Sequence, residues 1–355
     1  MRVKTWLLAI LILSGCSSKI KDEDFQKSLD VPGEVTPEAQ VVIPQTLQDK
    51  FEVEKIEAPT QASSGSKKDK STSQSVGAKS TKPKPVIKPA LPVTQVAPVS
   101  KLPEDYTPEM IAINLKAEQV WKKYKSNHFV DEKVFMDIHY MGMTVGKIMV
   151  TNRGKKLIHG KEVWHFHSRF KSAPFYSNIY ELDDTVDTYV TTDEFLSTRF
   201  SLIQRESKQD VDDLQLHDRE LMKTFSFWKQ KKSDGSIRNK EKSGNIPYFS
   251  IDPFSVLFFF QGLPLKNGDV YSIPVINKGK ILILKAEVEG REEINTEIGD
   301  DIKAIRIHAT TQYTGETLKD GDLYFWFSDD KYHKLLKAQA KIKIGSVTAD
   351  IVDEK

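Results

Sequence analysis

"KVFMDIHYMGMTVGKIMVT", Lys133 to Thr151, alternates in character on both sides of Gly142. A period of two puts Val134, Met136, Ile138 and Tyr140 on one face of a strand and Lys133, Asp137 and His139 on the other. The Met-Gly-Met step between the halves supplies the residue that a tight turn needs. The stretch reads as two antiparallel strands joined by a hairpin.

The same alternation continues toward the C-terminus. "EVWHFHSRF" (162–170), "NIYELDDTVDTYVT" (178–191) and "LSTRFSLIQRE" (196–206) each read as strands, followed by "VYSIPVI", "KILILKAEVEGREEI", "AIRIHATTQY", "LYFWFSD" and "KLLKAQAKIKIGSVTADIV". "NKGK", "IGDD" and "LKDGD" punctuate them as turns would. A parallel α/β fold would need a helix between successive strands, and none is visible. The pattern predicts a mainly β domain over 128–355 with about ten strands in a curved antiparallel sheet or incomplete barrel. Residues 209–233 stay open, because Phe225 and Phe227 alternate while "DRELMKTF" also suits a helix.

One segment breaks the alternation. In "DPFSVLFFFQGLPLKNGD" (252–269), Asp252 can cap a helix, Pro253 fits its first turn, and Gly262 with Pro264 stops it. Phe254, Val256, Leu257, Phe258, Phe259 and Phe260 leave almost no polar face. A helix apolar all round is expected to be buried, and this one is too short to span a bilayer. The expectation is a plug in the concave side of the sheet. If it fills that side, the domain has a closed core; if it only lines the mouth, Phe254, Leu257, Phe258, Phe259 and Phe260 form the wall of an apolar ligand site.

Upstream, "YTPEMIAINLKAEQVWKKYKSNHF" carries a Thr107 cap, Pro108 at the first helical position and Glu109 near the positive helix end. Met110, Ile113, Ala117, Val120, Trp121 and Tyr124 share one face, so residues 106–127 are expected to form an amphipathic helix of about five turns. Residues 16–105 have a different character. "SSGSKKDKSTSQSVGAKSTKPKPVIKPALPVTQVAPVSK" (63–101) is built of Ser, Lys, Pro, Ala and Thr and cannot offset chain entropy by burial. This reads as a disordered tether, with a root-mean-square span of about 50 Å. Between Ser66 and Lys101 it carries eight lysines against Asp69, whereas the whole chain has a formal charge of +2. A solvated linker explains that charge with fewer assumptions than an anionic ligand does.

The first residues fix an address. Arg2 and Lys4 precede an apolar run from Trp6 to Leu13, and Leu13-Ser14-Gly15-Cys16 closes it with the single cysteine of 355 residues. As a helix that run spans about 12 Å against a hydrocarbon core of ~30 Å, so residues 1–15 read as a cleaved signal peptide. The last four residues resemble the lipobox of bacterial lipoproteins. The resemblance implies cleavage between Gly15 and Cys16 and attachment of lipid to Cys16, which would be the membrane contact of the mature protein. Ser17 and Ser18, with no aspartate beside the cysteine, favour the outer membrane facing the periplasm; the alternative is the periplasmic side of the inner membrane. Nucleic acid does not fit an exported protein.

"MGMTVGK", "SAPFYSNIYELDDTVDTYV", "DPFSVLFFFQGLPLKNGD" and "LYFWFSDDKYHKLLKAQAKIKIGSVTADIV", in this order, resemble the bacterial envelope family catalogued as domain of unknown function 3108, over Glu132 to Val352. The resemblance implies an exported β-rich domain and no particular reaction.

Catalytic constellations were sought and none emerges. His165 and His167 lie two apart and share a strand face, but no third ligand stands at a diagnostic spacing, so no metal is expected. Asp183, Asp184 and Asp187 are better explained by turns and strand edges than by a paired-carboxylate cleft. Nucleophile elbows, phosphate-binding Gly loops and CxxC pairs are absent from the sequence, and no cofactor or catalytic residue is assigned. Two functions remain: a non-catalytic adaptor that binds another envelope component, such as cell wall or an envelope protein, or a carrier holding an acyl chain in a cleft of the sheet.

Overall fold

A computed structural model describes residues 27–30, 37–56, 102–128, 130, 132–313, 316–317, 322–342 and 344–354. The signal segment, Cys16 and the Lys/Pro-rich stretch 57–101 lie outside the described residues. In chain order the elements are α1 (Gln45–Lys50), β1 (Val53–Lys55), α2 (Pro108–Trp121), β2 (Lys133–Tyr140), β3 (Met143–Ile158), β4 (Lys161–Ser172) and α3 (Pro174–Ser177). Then come β5 (Asp183–Thr191), β6 (Ser197–Glu206), β7 (Gln209–Asp218), β8 (Lys223–Lys232), β9 (Ile237–Asn245) and α4 (Ser255–Gln261). The last part holds β10 (Val270–Asn277), β11 (Lys280–Thr296), β12 (Gly299–Tyr313), β13 (Glu316–Thr317), β14 (Leu323–Ser328), β15 (Leu335–Lys341) and β16 (Ser346–Glu354).

All the strands join one curved antiparallel sheet that does not close into a barrel. Its order is β10-β11-β12-β14-β15-β16-β2-β3-β4-β5-β6-β7-β8-β9, with β13 beside β12 and β1 beside β3. Two meanders, β2–β9 and β10–β16, are thus stitched by pairing of the last strand with β2, where Ala349 faces Ile138. The hairpin at Gly142 forms as the sequence predicts: Met141 and Gly142 have φ of 50° and 78°, and His159-Gly160 and Lys278-Gly279 repeat the arrangement with φ of 50° and 71°, and 52° and 72°. Both central residues of such a turn need positive φ, which glycine tolerates.

The concave side of this sheet buries one large cluster that takes in residues of α2, α4 and strands from both meanders. Thr107 Oγ1 caps α2 by accepting from Met110 N at 3.2 Å. The helix is shorter than its periodicity suggests, ending at Trp121, and only its C-terminal half buries Ala117, Val120 and Trp121. Ile111 and Leu115 remain exposed.

Three expectations need correction. Among the described residues there are sixteen strands where about ten were expected: 53–55, 209–245 and 316–317 add five, and the last run, 335–352, divides into β15 and β16. Residues 209–233 are two strands, and "DRELMK" is the turn between them: Leu214 faces Phe227 and Leu216 faces Phe225, so cross-strand burial decides the case. Finally, residues 27–30 and 37–56 are not free tether. They form α1 and β1 and bury Leu29 and Phe51 against the outer face of the sheet.

Candidate functional site

The phenylalanine segment is the plug that the alternation-breaking sequence predicts, and Asp252 sets its start. Asp252 Oδ1 accepts from Phe254 N (3.0 Å) and Ser255 N (2.9 Å), satisfying two of the orphan donors of α4. Its Oδ2 accepts from the hydroxyls of Ser197 at 2.6 Å, Thr188 and Ser255. A buried carboxylate is tolerable when every lone pair has a donor, and here the network ties α4 to β5 and β6.

From that fixed start, Phe258 stacks on Phe166 of β4 with ring centres 3.8 Å apart. Phe260 meets Phe325 and Phe327 of β14 at 5.9 and 5.8 Å, on the opposite arm of the sheet. Phe259 faces α2, with Trp121 at 4.4 Å and Tyr124 at 4.9 Å. Phe254, Phe258, Phe259 and Phe260 are all buried, and Leu257 is half-buried. Gly262 ends the helix in close contact with the residues that follow α2: its carbonyl accepts from Lys125 N at 2.8 Å, and a Cβ there would meet the Tyr124 ring at 2.2 Å. Gly262→Ala is therefore expected to displace the Tyr124 ring and lower the melting temperature by about 10 °C, the equivalent of ~3 kcal/mol in a domain of this size. A scanning-calorimetry melt within about 2 °C of the parent would refute this close packing.

The gap beside the plug is small. Beside Leu257 and Phe258 lies a gap of about 40 Å³ bounded by Met136, Phe166, Asn152 and Lys334. It holds a few waters at ~10–15 Å³ each and falls far short of the ~300–1,000 Å³ of a ligand pocket. Asn152 Oδ1 closes a turn onto Gly154 N at 3.0 Å, and its buried Nδ2 has no protein partner, as a water-filled gap would allow. At one end His128 Nδ1 lies 3.3 Å from Gln261 Oε1, and its Nε2 lies 2.7 Å from the Tyr124 hydroxyl. With Gln261 Oε1 accepting, His128 is a neutral Nδ1–H tautomer that accepts from Tyr124; burial pushes its pKa down to about 4.

On the outer face, strand register brings His165, His167 and Asp187 together. His165 faces Tyr189 and His167 faces Asp187. Asp187 Oδ1 lies 2.6 Å from His165 Nε2 and 2.9 Å from His167 Nδ1, with all three residues buried. Burial pushes Asp187 up, but the two imidazole donors outweigh it and hold the carboxyl at about 2, so it stays ionised. Burial lowers the His165 pKa against the pull of Asp187, in keeping with a buried Nδ1 that has no partner. Among the described residues, no group of three or more His, Cys, Asp or Glu has the geometry to hold a metal ion. The cluster is a hydrogen-bonded core of the outer face.

Asp183 and Asp184 do not join it. Asp183 pairs with Arg169, Oδ1 to Nε at 2.8 Å. Asp184 accepts from Arg205 N at 3.0 Å and Gln204 Nε2 at 3.1 Å, and burial, with added repulsion from Glu206, raises its pKa to about 7. A folded pKa above the unfolded 3.8 stabilises fully below pH 3.8 and loses that contribution as pH rises through 7. Asp184→Asn is accordingly expected to gain on the parent by about 1–3 kcal/mol at pH 8 relative to pH 4. Melts at both pH values check this, and an equal difference at both would contradict it.

Arg219 is the residue that sequence inspection missed. It lies between β7 and β8 and reaches five acceptors, including the carbonyls of Ser197, Pro247, Tyr248 and Ser250. It thereby gathers the segment that leads into Asp252 and α4.

No curated protein matches the chain. Among solved structures, a β-barrel-like protein of the DUF1849 domain from Brucella abortus aligns with a TM-score of 0.41 at 10% identity, over 64% of this chain and 97% of that one. A candidate lipoprotein from Parabacteroides distasonis aligns at 0.30 and 8% identity, covering 66% of this chain and 99% of its own. A candidate exported protein with a YmcC-like fold from Bacteroides fragilis aligns at 0.30 and 11%, with the same coverages. The family profile of the protein of unknown function DUF3108 matches residues 136–352, more than half of the 355-residue chain, from within β2 to Val352 in β16. The chain belongs to the DUF3108 family.

Proposed function

We propose that this protein is a non-catalytic adaptor of the bacterial envelope, anchored by lipid on Cys16 and engaging another envelope component through the outside of its β domain. The observation that carries this reading is the filled concave side. Phe259 and Phe260 are fully buried, and the adjoining gap of about 40 Å³ admits a few waters but not an acyl chain. Among the described residues no helix is long and apolar enough to cross a membrane, and the attachment in this reading is the Cys16 lipid. By the Ser17-Ser18 sequence the membrane is the outer one, with the domain facing the periplasm.

The face offered to a partner is the outer side of β11–β15. There His308 stacks on Tyr324 at 4.7 Å, Arg306 sits 4.9 Å from Tyr324 and 5.6 Å from Trp326, and Lys337 lies over Trp326. The Tyr324 and Trp326 rings are themselves buried under this layer, so what a partner meets is the partly exposed Arg306, His308 and Lys337 with their paired carboxylates Glu289 and Asp350.

Two measurements test the reading. Metabolic labelling with an alkyne fatty acid should mark the wild-type protein and not Cys16→Ala; label on the variant would end the lipoprotein reading. A fluorescent fatty acid should show no saturable binding to the domain. Saturable binding that Leu257→Trp abolishes would establish the carrier instead.

A further inference from the structure

Part of the stretch that composition assigns to a tether, residues 27–30 and 37–56, is held on the domain, and this changes where the domain sits. Leu29 is buried with Phe135 and Met149 on the outer face of β2 and β3, and Asp30 pairs with Lys133 at 2.6 Å. Farther along, Ile43, Leu47 and Phe51 recur every four residues and pack, with Val53, on Ile158, Val163, Tyr189, Leu214, Leu216 and Phe227. Polar contacts fix the register. β1 pairs with Lys156–Ile158, the part of β3 that runs past its pairing with β2, so this short strand caps an edge that would otherwise lack a partner there. Arg199 Nη1 donates to the Phe51 carbonyl at 2.9 Å, and Lys50 Nζ reaches both Asp218 and Glu220 at 2.9 Å.

We infer that residues 27–30 and 37–56 form a docked strap, so that the lipid anchor holds the β domain through the outer face of its own sheet instead of through the long linker. This rests on the lipidation of Cys16 proposed above. Its consequence is a matter of chain length. Twelve residues, 17–28, separate Cys16 from the first strap contact at Leu29, and fully extended they reach at most about 43 Å. With the strap free, 85 residues (17–101) would separate anchor from domain, with a stretched length of about 300 Å. The docked strap therefore confines the domain to a shell close to its membrane.

The strap and the anchor can be tested apart. A site for a sequence-specific protease is placed between Lys79 and Lys88 of the full chain, outside every described contact. In the non-lipidated Cys16→Ser protein, the cleaved N-terminal piece should co-elute with the domain on gel filtration; its separation from the domain would overturn the strap. In membrane vesicles carrying the lipidated chain, the domain should stay in the pellet after cleavage, and full release would overturn the proposal. Phe51→Asp with Leu47→Asp should raise the released fraction by about tenfold or more, and Lys50→Glu by less, while the domain keeps its melting transition. A chain that co-elutes with its strap yet never pellets, even uncleaved, would reject the lipid anchor and leave the strap standing.

Discussion

Phe259→Ala is expected to destabilise the domain by about 3–5 kcal/mol, near 10 °C or more in melting temperature. The ring is fully buried and is enclosed from several directions: Trp121 at 4.4 Å, Tyr124 at 4.9 Å and Phe195 at 5.6 Å. None of these can move in to refill the cavity cheaply. The Trp121 indole donates to the Glu194 carbonyl at 2.9 Å, and the turn that holds Tyr124 is bonded to Gly262. Large-to-small changes cost most where the surroundings cannot collapse. Urea denaturation of the soluble Cys16→Ser chain measures the effect, and a loss below about 1 kcal/mol would mean that the ring faces adaptable space.

Arg219→Ala should cost as much, about 3–5 kcal/mol, by a different route. Truncation would remove the guanidinium donors of the Ser197, Tyr248 and Ser250 carbonyls, whereas the Pro247 carbonyl would keep the Ser250 hydroxyl at 2.6 Å, and each buried acceptor left unpaired costs about 1–3 kcal/mol before relaxation. Burial lowers the guanidinium pKa to about 10, so it remains charged at neutral pH, helped by the fields of Asp252 and Glu194. Arg219→Lys keeps the charge but offers three donors on a flexible stem in place of a planar fork, and is expected to recover less than half of the loss. Denaturation of the two variants side by side separates charge from geometry. Full recovery by lysine would show that the field matters and the fork does not.

The contrast between these two residues explains what the sequence discloses. Phe259 stands in a run whose lack of any polar face announces burial, and the period-two strands on either side leave a concave sheet as the place to bury it. Asp252 was equally legible, because a capping residue acts on backbone within a few positions of itself. Arg219 was not: in "HDRELMK" it is one charge among several, and its partners lie some 22 to 31 residues away, in β6 and the 247–250 segment. The His165, His167 and Asp187 cluster hides for a related reason. It exists because His167 faces Asp187 across β4 and β5, and a register slipped by one residue would turn Asp187 to the other face. The strap was written in plain letters, with Ile43, Leu47 and Phe51 at helical spacing, yet the Lys/Pro-rich composition of its neighbours dominates any average taken over 16–105.

The claim on which the rest depends is that α4 is a permanent part of the core and not a removable stopper. Native-state hydrogen exchange at the Phe259 and Phe260 amides tests it most directly. The account predicts that they exchange only by global unfolding, with the same free energy as amides of β4 and β14 beside Phe166 and Phe325. Exchange of α4 through a separate opening several kcal/mol below global unfolding, with those strands still protected, would contradict it and describe a cavity that opens.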